Sequence, residues 1–434
     1  MYRWFLKHGA DKAYPARMLS AAFSKSQPDR ISRETAKNLY GKVLMGAATK
    51  MEQFASCAFR YFVRYGLKLS ERDLHELGAP DIGNVYHLAL EHYGAYLAED
   101  QKSWSSVTDE ESMRYAEKAL SEAVLSLKKG DFYADAKGKY DLARMQRILK
   151  RSVRTLTAQL RAGRFSPELY EAAFGPDSDL AAAIFSLGEG EKLLLSGRID
   201  RLDTYADGDD LFVKVVDYKS GNAVYSLPEI YEGLQLQLVL YMAAAEELMQ
   251  KRYPGKTIHP AGMFFCHLED PILTEEKEIT EEEAERNLLK EMRPDGMINA
   301  DPEAIAALDS CFEDASFAGR SDVIKVGKKK DGSYLEHSAV MEETDFHTVE
   351  QFTRERITAF AKEILSGNIK ASPCVTKDKN PCTVCGYRAI CGFHEGMTDA
   401  IRQVEAAEDT EILSRMRSAL RKSGTAGRNE TSDE

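Results

Sequence analysis

Two carboxylates and a lysine stand at a spacing that suits metal-assisted hydrolysis: Asp200 in Gly197-Arg198-Ile199-Asp200, and Asp217 with Lys219 in Asp217-Tyr218-Lys219. Residues two apart on a strand share a face, so Lys219 follows Asp217 to the same side. A hairpin between the strands bearing Asp200 and Asp217 brings both carboxylates to one end of a sheet. Convergent carboxylates form a hard oxygen site for Mg²⁺ or Mn²⁺, which a neutral imidazole from His87 completes. Phosphodiester hydrolysis needs those parts: carboxylates to hold a cation that activates water, and an ammonium to stabilise developing negative charge. Each part has a plain structural reading as well. A strand-end Asp is often a turn former, and His87 has Glu91 one helical turn away as a simple partner.

The second set of candidate ligands is sulfur. Seven cysteines, an odd number, in a chain whose start Met1-Tyr2-Arg3-Trp4-Phe5-Leu6-Lys7 is charged too early for a signal peptide, argue against a disulfide framework. Cys382, Cys385 and Cys391 form C-x₂-C-x₅-C, three thiolates where a tetrahedral metal or a cubane cluster needs four. Cys57 is one source of the fourth; His394, as in a zinc knuckle, and Cys374 are others. Cys266 and Cys311 read as buried small apolar residues.

The elements that must position these groups follow from periodicity. Thr49 with Glu52 reads as a capping box opening a helix with Phe54, Cys57, Ala58, Tyr61, Phe62 and Tyr65 on its apolar stripe. A helix from Gly83 to about Glu99 carries His87, and residues 109–164 have helical spacing. Residues 181–187, 192–205 and 211–217 read as three strands of a meander. Pro228, Glu229 and Glu232 suit the start of one long helix to about Gln250, and 259–268 is a further strand. The expectation is a mixed α/β core of helix, three-strand meander, helix and strand, with 270–370 mainly helical around a hairpin-like stretch at 326–332. The polar stretch 422–434 is expected to be disordered.

Net charge is −12, yet residues 1–72 hold fourteen Lys or Arg against five Asp or Glu. A basic lobe on an acidic body is compatible with nucleic acid at one place. No run of eighteen apolar residues supplies a membrane span, so a cytoplasmic location is the default. Gly255-Lys256-Thr257 is not a phosphate loop, because Gln250 stands where that pattern needs glycine.

Gly197-Arg198-Ile199-Asp200, Asp217-Tyr218-Lys219-Ser220-Gly221, and Gln237 with Tyr241 one turn later, preceded by the helix bearing Gly83 and His87, resemble the RecB-family branch of the PD-(D/E)XK nucleases. Met51-Glu52-Gln53-Phe54-Ala55-Ser56-Cys57-Ala58-Phe59-Arg60-Tyr61-Phe62 and Tyr65-Gly66-Leu67-Lys68-Leu69 resemble the AddB-type subunit of bacterial ATP-dependent helicase/deoxyribonucleases, over about residues 30–400. The resemblance implies His87, Asp200, Asp217 and the Tyr218 carbonyl as metal ligands and Lys219 as the electrostatic catalyst. Gln237 and Tyr241 would orient substrate or lysine, with Gln235 as a competing candidate. It implies a structural 4Fe-4S cluster on Cys57, Cys382, Cys385 and Cys391, with zinc as the alternative. On that pattern 1–45 is the remnant of a helicase-like region and 46–400 the iron-sulfur nuclease domain, with its core at about 83–98 and 181–268. Helical insertions fall at 109–164 and 270–370, and 401–434 is a C-terminal helix and tail. The implied activity is Mg²⁺-dependent exonucleolytic cutting of single-stranded DNA, the 5′-terminated strand, in recombinational repair of double-strand breaks, beside an AddA-type helicase-nuclease subunit. The rival reading is a non-catalytic DNA-end binding module with a basic surface of Arg60, Arg64, Lys68 and Arg72.

Overall fold

The computed structural model describes residues 29–70, 78–126, 136–176, 183–274, 278–393 and 400–429, together with Lys7, Arg17 and Ser178. In chain order the first elements used below are β1 (Val43–Gly46), α1 (Ala48–Ser56), α2 (Ala79–Glu99), α3 (Asp109–Leu125) and α4 (Ala136–Ala162). Next come β2 (Ser166–Phe174), β3 (Ala183–Gly188), β4 (Glu191–Leu195), β5 (Gly197–Asp207), β6 (Asp210–Lys219), α5 (Leu227–Glu232) and α6 (Gln237–Arg252). The last are β7 (Thr257–His267), β8 (Asp295–Asn299), β9 (Gly319–Arg320), β10 (Gly327–Lys328), β11 (Val340–Met341), α7 (Glu343–Leu365) and α8 (Asp409–Asn429).

Leu211 through Tyr218 are buried without a break, the pattern of a strand flanked on both edges and covered on both faces. β6 is that strand. It lies inside a six-stranded sheet of order β11-β8-β7-β6-β5-β2, antiparallel to β5 and parallel to β7. The parallel step requires a crossover, which α5 and α6 supply. Leu211, Val213 and Val215 pack with Leu238, Val239 and Met242 of α6. Phe212, Val216 and Tyr218 pack on the other face with Val85, Tyr86 and Ala89 of α2 and Leu149 and Val153 of α4. The expected α/β core is therefore present, with a helix layer on each face.

The structure corrects several details. The first strand of the meander is β2, not 181–187: β2 pairs antiparallel with β5, while β3 and β4 form a separate three-stranded sheet with β1. Alternation is weak in β2, where Leu169, Tyr170, Ala172 and Ala173 follow one another irregularly around Glu171. β1 pairs with β4, and Arg33 and Lys37 are ion-paired to Glu191, so residues 33–46 pack on the β3/β4 sheet. Residues 1–28 apart from Lys7 and Arg17 lie outside the described set. The stretch 270–370, expected to be mainly helical around a hairpin, also supplies β8 and β11, which extend the main sheet. The helix expected from Pro228 to Gln250 is two, broken at Gly233, whose φ of 82° a side chain would resist. The polar C-terminal stretch is helical to Asn429.

Candidate active site and cysteine corner

The last β5/β6 pair at the active end is Arg201 with Val216; one residue further on, Asp200 and Asp217 stand across from each other. Both are buried, Asp217 completely. The backbone N–H of Tyr218 donates to Asp200 Oδ2 at 2.7 Å. His87 comes from α2: its Nδ1 lies 3.2 Å from Asp200 Oδ1, and its Nε2 donates to the Tyr218 carbonyl at 3.1 Å. Glu91 takes no part in this. Gly83, one turn before His87, permits the approach, because a Cβ there would sit 3.2 Å from Ser220 Oγ.

Lys219 reaches Asp217 Oδ2 at 2.5 Å and donates to Gln237 Oε1 at 2.9 Å, with its ammonium 5.3 Å from the centre of the Phe265 ring. Gln237 Nε2 in turn donates to the Tyr241 hydroxyl at 3.1 Å. Gln235 faces away, bonded to Val224, Ser226 and Glu229. Gly197 admits Tyr241, since a Cβ at 197 would fall 3.0 Å from the Tyr241 ring and 2.5 Å from that of Phe174. Glu52 does not cap its own helix. Helix α1 has Ala47 at its N-cap with no side-chain bond, and Glu52 Oε1 instead accepts from Leu236 N at 2.7 Å and Gln237 N at 3.1 Å. This half-buried carboxylate thus satisfies the N–H groups left unpaired at the start of α6 and places Gln237.

One further residue enters that sequence reasoning missed. Glu171 Oε1 is 3.7 Å from His87 Nδ1 and Oε2 accepts from Arg198 at 3.2 Å. Ligand atoms of His87, Glu171 and Asp200 lie within 4.8 Å of one another. Glu171 holds φ of 48° inside β2, a left-handed conformation that costs an ordinary residue on the order of 1–3 kcal/mol and tends to mark working sites. Between paired neighbours Tyr170 and Ala172, Glu171 itself leaves the ladder. Nothing in the local sequence signals it.

Electrostatically the site is short of a cation. Apart from the Lys219 ion pair, neither oxygen of buried Asp217 has a hydrogen-bond partner. Burial, and then the charge of Asp200, push its carboxyl up to about 7. Burial opposes charge on His87, but bonding to Asp200 and Glu171 and their charges outweigh it and raise the imidazole to about 10. A proton on His87 thereby fills in for positive charge among three carboxylates. Hard oxygens, one imidazole and an orphaned buried carboxylate are the donor set that fits Mg²⁺ or Mn²⁺.

Behind the site, on the α2 face, lies a buried charge network. Arg201 Nε donates to Asp203 Oδ1 at 2.8 Å and Nη1 to the Tyr218 hydroxyl at 3.1 Å; Lys214 meets Asp203 Oδ2 at 2.8 Å. It pins the ring of the residue whose carbonyl faces the site.

Cys57, the C-cap of α1, and Cys382, Cys385 and Cys391 line one small cavity with Phe59, Pro373 and Phe393. Burial raises the Cys382 thiol, and the neighbouring Cys57, Cys385 and Cys391 raise it further. Among the described residues no three thiol sulfurs lie within 4.8 Å of one another. Cys374 lines a different cavity, Cys266 is buried and Cys311 half-buried, and His394 lies outside the described residues.

A groove of about 1000 Å³ runs from Lys219, Gln237 and Phe265 to Pro381, Thr383 and Val384 beside these thiols. Arg60, Arg64, Lys377 and Lys379 line it together with Tyr65, and Glu52, Glu229 and Asp378 are its carboxylates. Of the basic surface expected near Cys57, Arg60, Arg64 and Lys68 are described and Arg72 lies outside the described residues.

A helix-flanked sheet whose central strand ends in Asp-x-Lys opposite a second Asp defines a PD-(D/E)XK nuclease fold. Residues 47–392 match the model of the PD-(D/E)XK nuclease superfamily, and the chain belongs to that superfamily. It is 36% identical over 381 residues to the B-type subunit of the ATP-dependent helicase/deoxyribonuclease of Lachnoclostridium phytofermentans, covering 87% of this chain and 32% of the relative. To the protein of that name from Bacillus pumilus it is 33% identical over 396 residues (91% and 33%), and to that from Clostridium tetani 30% over 422 (97% and 36%). The chain spans about a third of the length of these curated relatives. No helix among the described residues is long and apolar enough to cross a membrane.

Proposed function

We propose that the chain is a divalent-cation-dependent deoxyribonuclease cutting single-stranded DNA, with Mg²⁺ or Mn²⁺ held by His87, Asp200, Asp217 and the Tyr218 carbonyl. The observation that carries this reading is the orphaned, fully buried Asp217 carboxylate facing Asp200 with Lys219 beside it. Two facing buried carboxylates with one ammonium as the partner of Asp217 are expensive unless a further cation meets them. When bound, the cation would lower the pKa of a water and neutralise phosphate charge. The chain's own groups do the rest. Lys219, fixed by Gln237 and through it by Tyr241, presents an ammonium to the oxygens that gain charge. Glu171 and Asp200 set the ring of His87. The groove supplies cations for a sugar-phosphate backbone and Tyr65 as a ring for a base, the combination that suits single strands.

The thiol corner fits an iron-sulfur cluster better than zinc. Four sulfurs on one tetrahedral zinc lie about 3.8 Å apart, given Zn–S bonds of about 2.3 Å, whereas no three described thiol sulfurs lie within 4.8 Å of one another. Held by Cys57, Cys382, Cys385 and Cys391, a 4Fe-4S cluster would tie the two ends of the nuclease unit together. The relatives are named as one subunit of a helicase/deoxyribonuclease, which supports a role in end processing for recombinational repair beside an AddA-type partner that unwinds DNA. Trimming of the 5′-terminated strand belongs to the same proposal.

The test is Mg²⁺-dependent cleavage of single-stranded DNA by the native protein and by Asp217→Ala. Loss of cleavage in the variant with retained DNA binding is expected. Equal cleavage by both sinks the assignment, and metal-independent binding without any cutting by the native protein favours the DNA-end binding module instead.

A further inference from the structure

The segment between β8 and β11 holds positive charge that the site described above does not use. A cavity of about 170 Å³ is lined by Arg293, Arg320, Lys325, Glu336, His337 and Ser338, with the β9/β10 hairpin forming one wall. Arg293 is held by carbonyls, Nε donating to Lys290 O at 2.8 Å and Nη1 to Ser321 O at 3.1 Å. Burial, and then the facing charge of Arg320, press its pKa below the ordinary value. Arg320 is exposed and, among the described residues, makes no ion pair. Of the nearby carboxylates, Asp322 meets Arg286 at 2.5 Å, whereas Asp295 pairs with Lys325 of the cavity wall itself, which leaves Arg320 as the exposed cation without an acidic partner among the described residues. Exposed Glu336 is the remaining acid of the cavity wall. Two guanidiniums facing one cavity, one of them pressed by the charge of the other, are an arrangement that an oxyanion relieves, and guanidinium geometry matches phosphate.

Register places this cavity beside the candidate active site. Asp217 is paired with Phe265 on β7 and Phe265 with Asp295 on β8, so Asp295 is two strand spacings, about 10 Å, from Asp217. Asp295 also accepts from Tyr225 N at 2.6 Å, tying the chain that leaves Lys219 to the Lys325 corner. The flank is rigidly connected to the sheet end where phosphate chemistry is proposed.

We propose that Arg293, Arg320 and Lys325 form a phosphate-binding subsite that grips a backbone phosphate of the DNA strand close to the scissile bond. The assignment rests on the nuclease reading above for its ligand. Single-stranded DNA binding is measured with EDTA present, so that nothing is cut, over a salt series with the native chain, Arg320→Ala and Lys329→Ala. Lys329 is an exposed cation on the same segment that does not line the cavity. Arg320→Ala is expected to weaken binding on the order of tenfold at low salt and to lower the slope of log affinity against log salt by about 0.7, the loss of one phosphate contact. Lys329→Ala is expected to leave both nearly unchanged. Equal losses in the two variants mean a diffuse field and overturn the subsite, as does an unchanged Arg320→Ala.

A second arm uses inorganic phosphate alone in thermal unfolding. Protection of the native chain that Arg320→Ala lacks assigns the cavity to phosphate groups generally. Protection by DNA only assigns it to strand phosphates, and protection by neither overturns it. The two readings fail separately: Asp217→Ala that cuts like the native chain removes the nuclease assignment while the Arg320 binding result stands.

Discussion

The carboxylate site and the thiol corner gather their ligands on opposite kinds of scaffold. His87, Glu171, Asp200 and Asp217 are carried by a 21-residue helix and three neighbouring strands, and the backbone N–H of Tyr218 and the amide of Gln237 hold their neighbours in place. Cys382, Cys385 and Cys391 are half-buried in a run of turns over 381–391, and Cys57 sits in extended backbone between helices. The first site is preorganised by the sheet and stores an electrostatic conflict that a cation would relieve. The second is built from turns, and the proposed cluster would supply its rigidity. Activity and stability should therefore separate between them: removing a carboxylate harms chemistry, and removing a thiol harms the fold.

The largest expected effect lies at Asp217. Asp217→Asn should lower Mg²⁺-dependent cleavage on the order of a thousandfold, the scale of losing one preorganised charge-stabilising group. Metal-free thermal stability should stay level or rise, because a desolvated carboxylate is removed. A parallel drop in stability would break the comparison. Cys57→Ser is the opposite case. It should discharge brown colour and iron from anaerobically purified protein and lower stability by about 2–5 kcal/mol, the scale of losing a covalent cross-link, read by thermal unfolding and iron analysis. A colourless native protein with stoichiometric zinc would replace the cluster by zinc.

Glu171→Gln tests whether the strained residue belongs with the metal site. Mg²⁺ affinity for activity should fall about 10–100-fold, as when the partner that orients a ligating histidine is removed, with little change in iron content. An unaltered metal dependence would return Glu171 to a purely structural role. The smallest effect concerns pH. Asp217 is raised from an ordinary 3.8 to about 7, so its contribution to metal-free stability is full below pH 4 and is lost as pH rises through 7. Mg²⁺ binds the form without the proton. It should thus raise the thermal midpoint more at pH 8 than at pH 6, by a few degrees at saturating ion. A midpoint shift independent of pH would show that Asp217 does not titrate at the cation site.

Periodicity and alternation made much of this legible. The run 211–217 announced an interior strand, alternation put Lys219 on the side of Asp217, and helix spacing paired Gln237 with Tyr241. These are local rules, in which each residue's direction follows from its neighbours' dihedral angles. Where a second partner decided the outcome, local reading fell short. Thr49 and Glu52 have the spacing of a capping box, yet Glu52 caps a helix 184 residues away because α1 lies against the start of α6. Gln235 competes with Gln237 on paper, and the tertiary bonds separate them: Gln237 meets Lys219, while Gln235 is bonded to Val224, Ser226 and Glu229.

The sequence alone determined the donor types, the Asp-x-Lys spacing and the sulfur-rich C-x₂-C-x₅-C segment, since these are properties of composition and short-range geometry. Tertiary structure decided that β2 rather than 181–187 borders β5, bringing Glu171 to His87, and that Cys57 lies in one cavity with thiols more than 300 residues away. Strand order and long-range contact depend on which apolar faces can be buried together, a property of the whole chain that no window of residues contains.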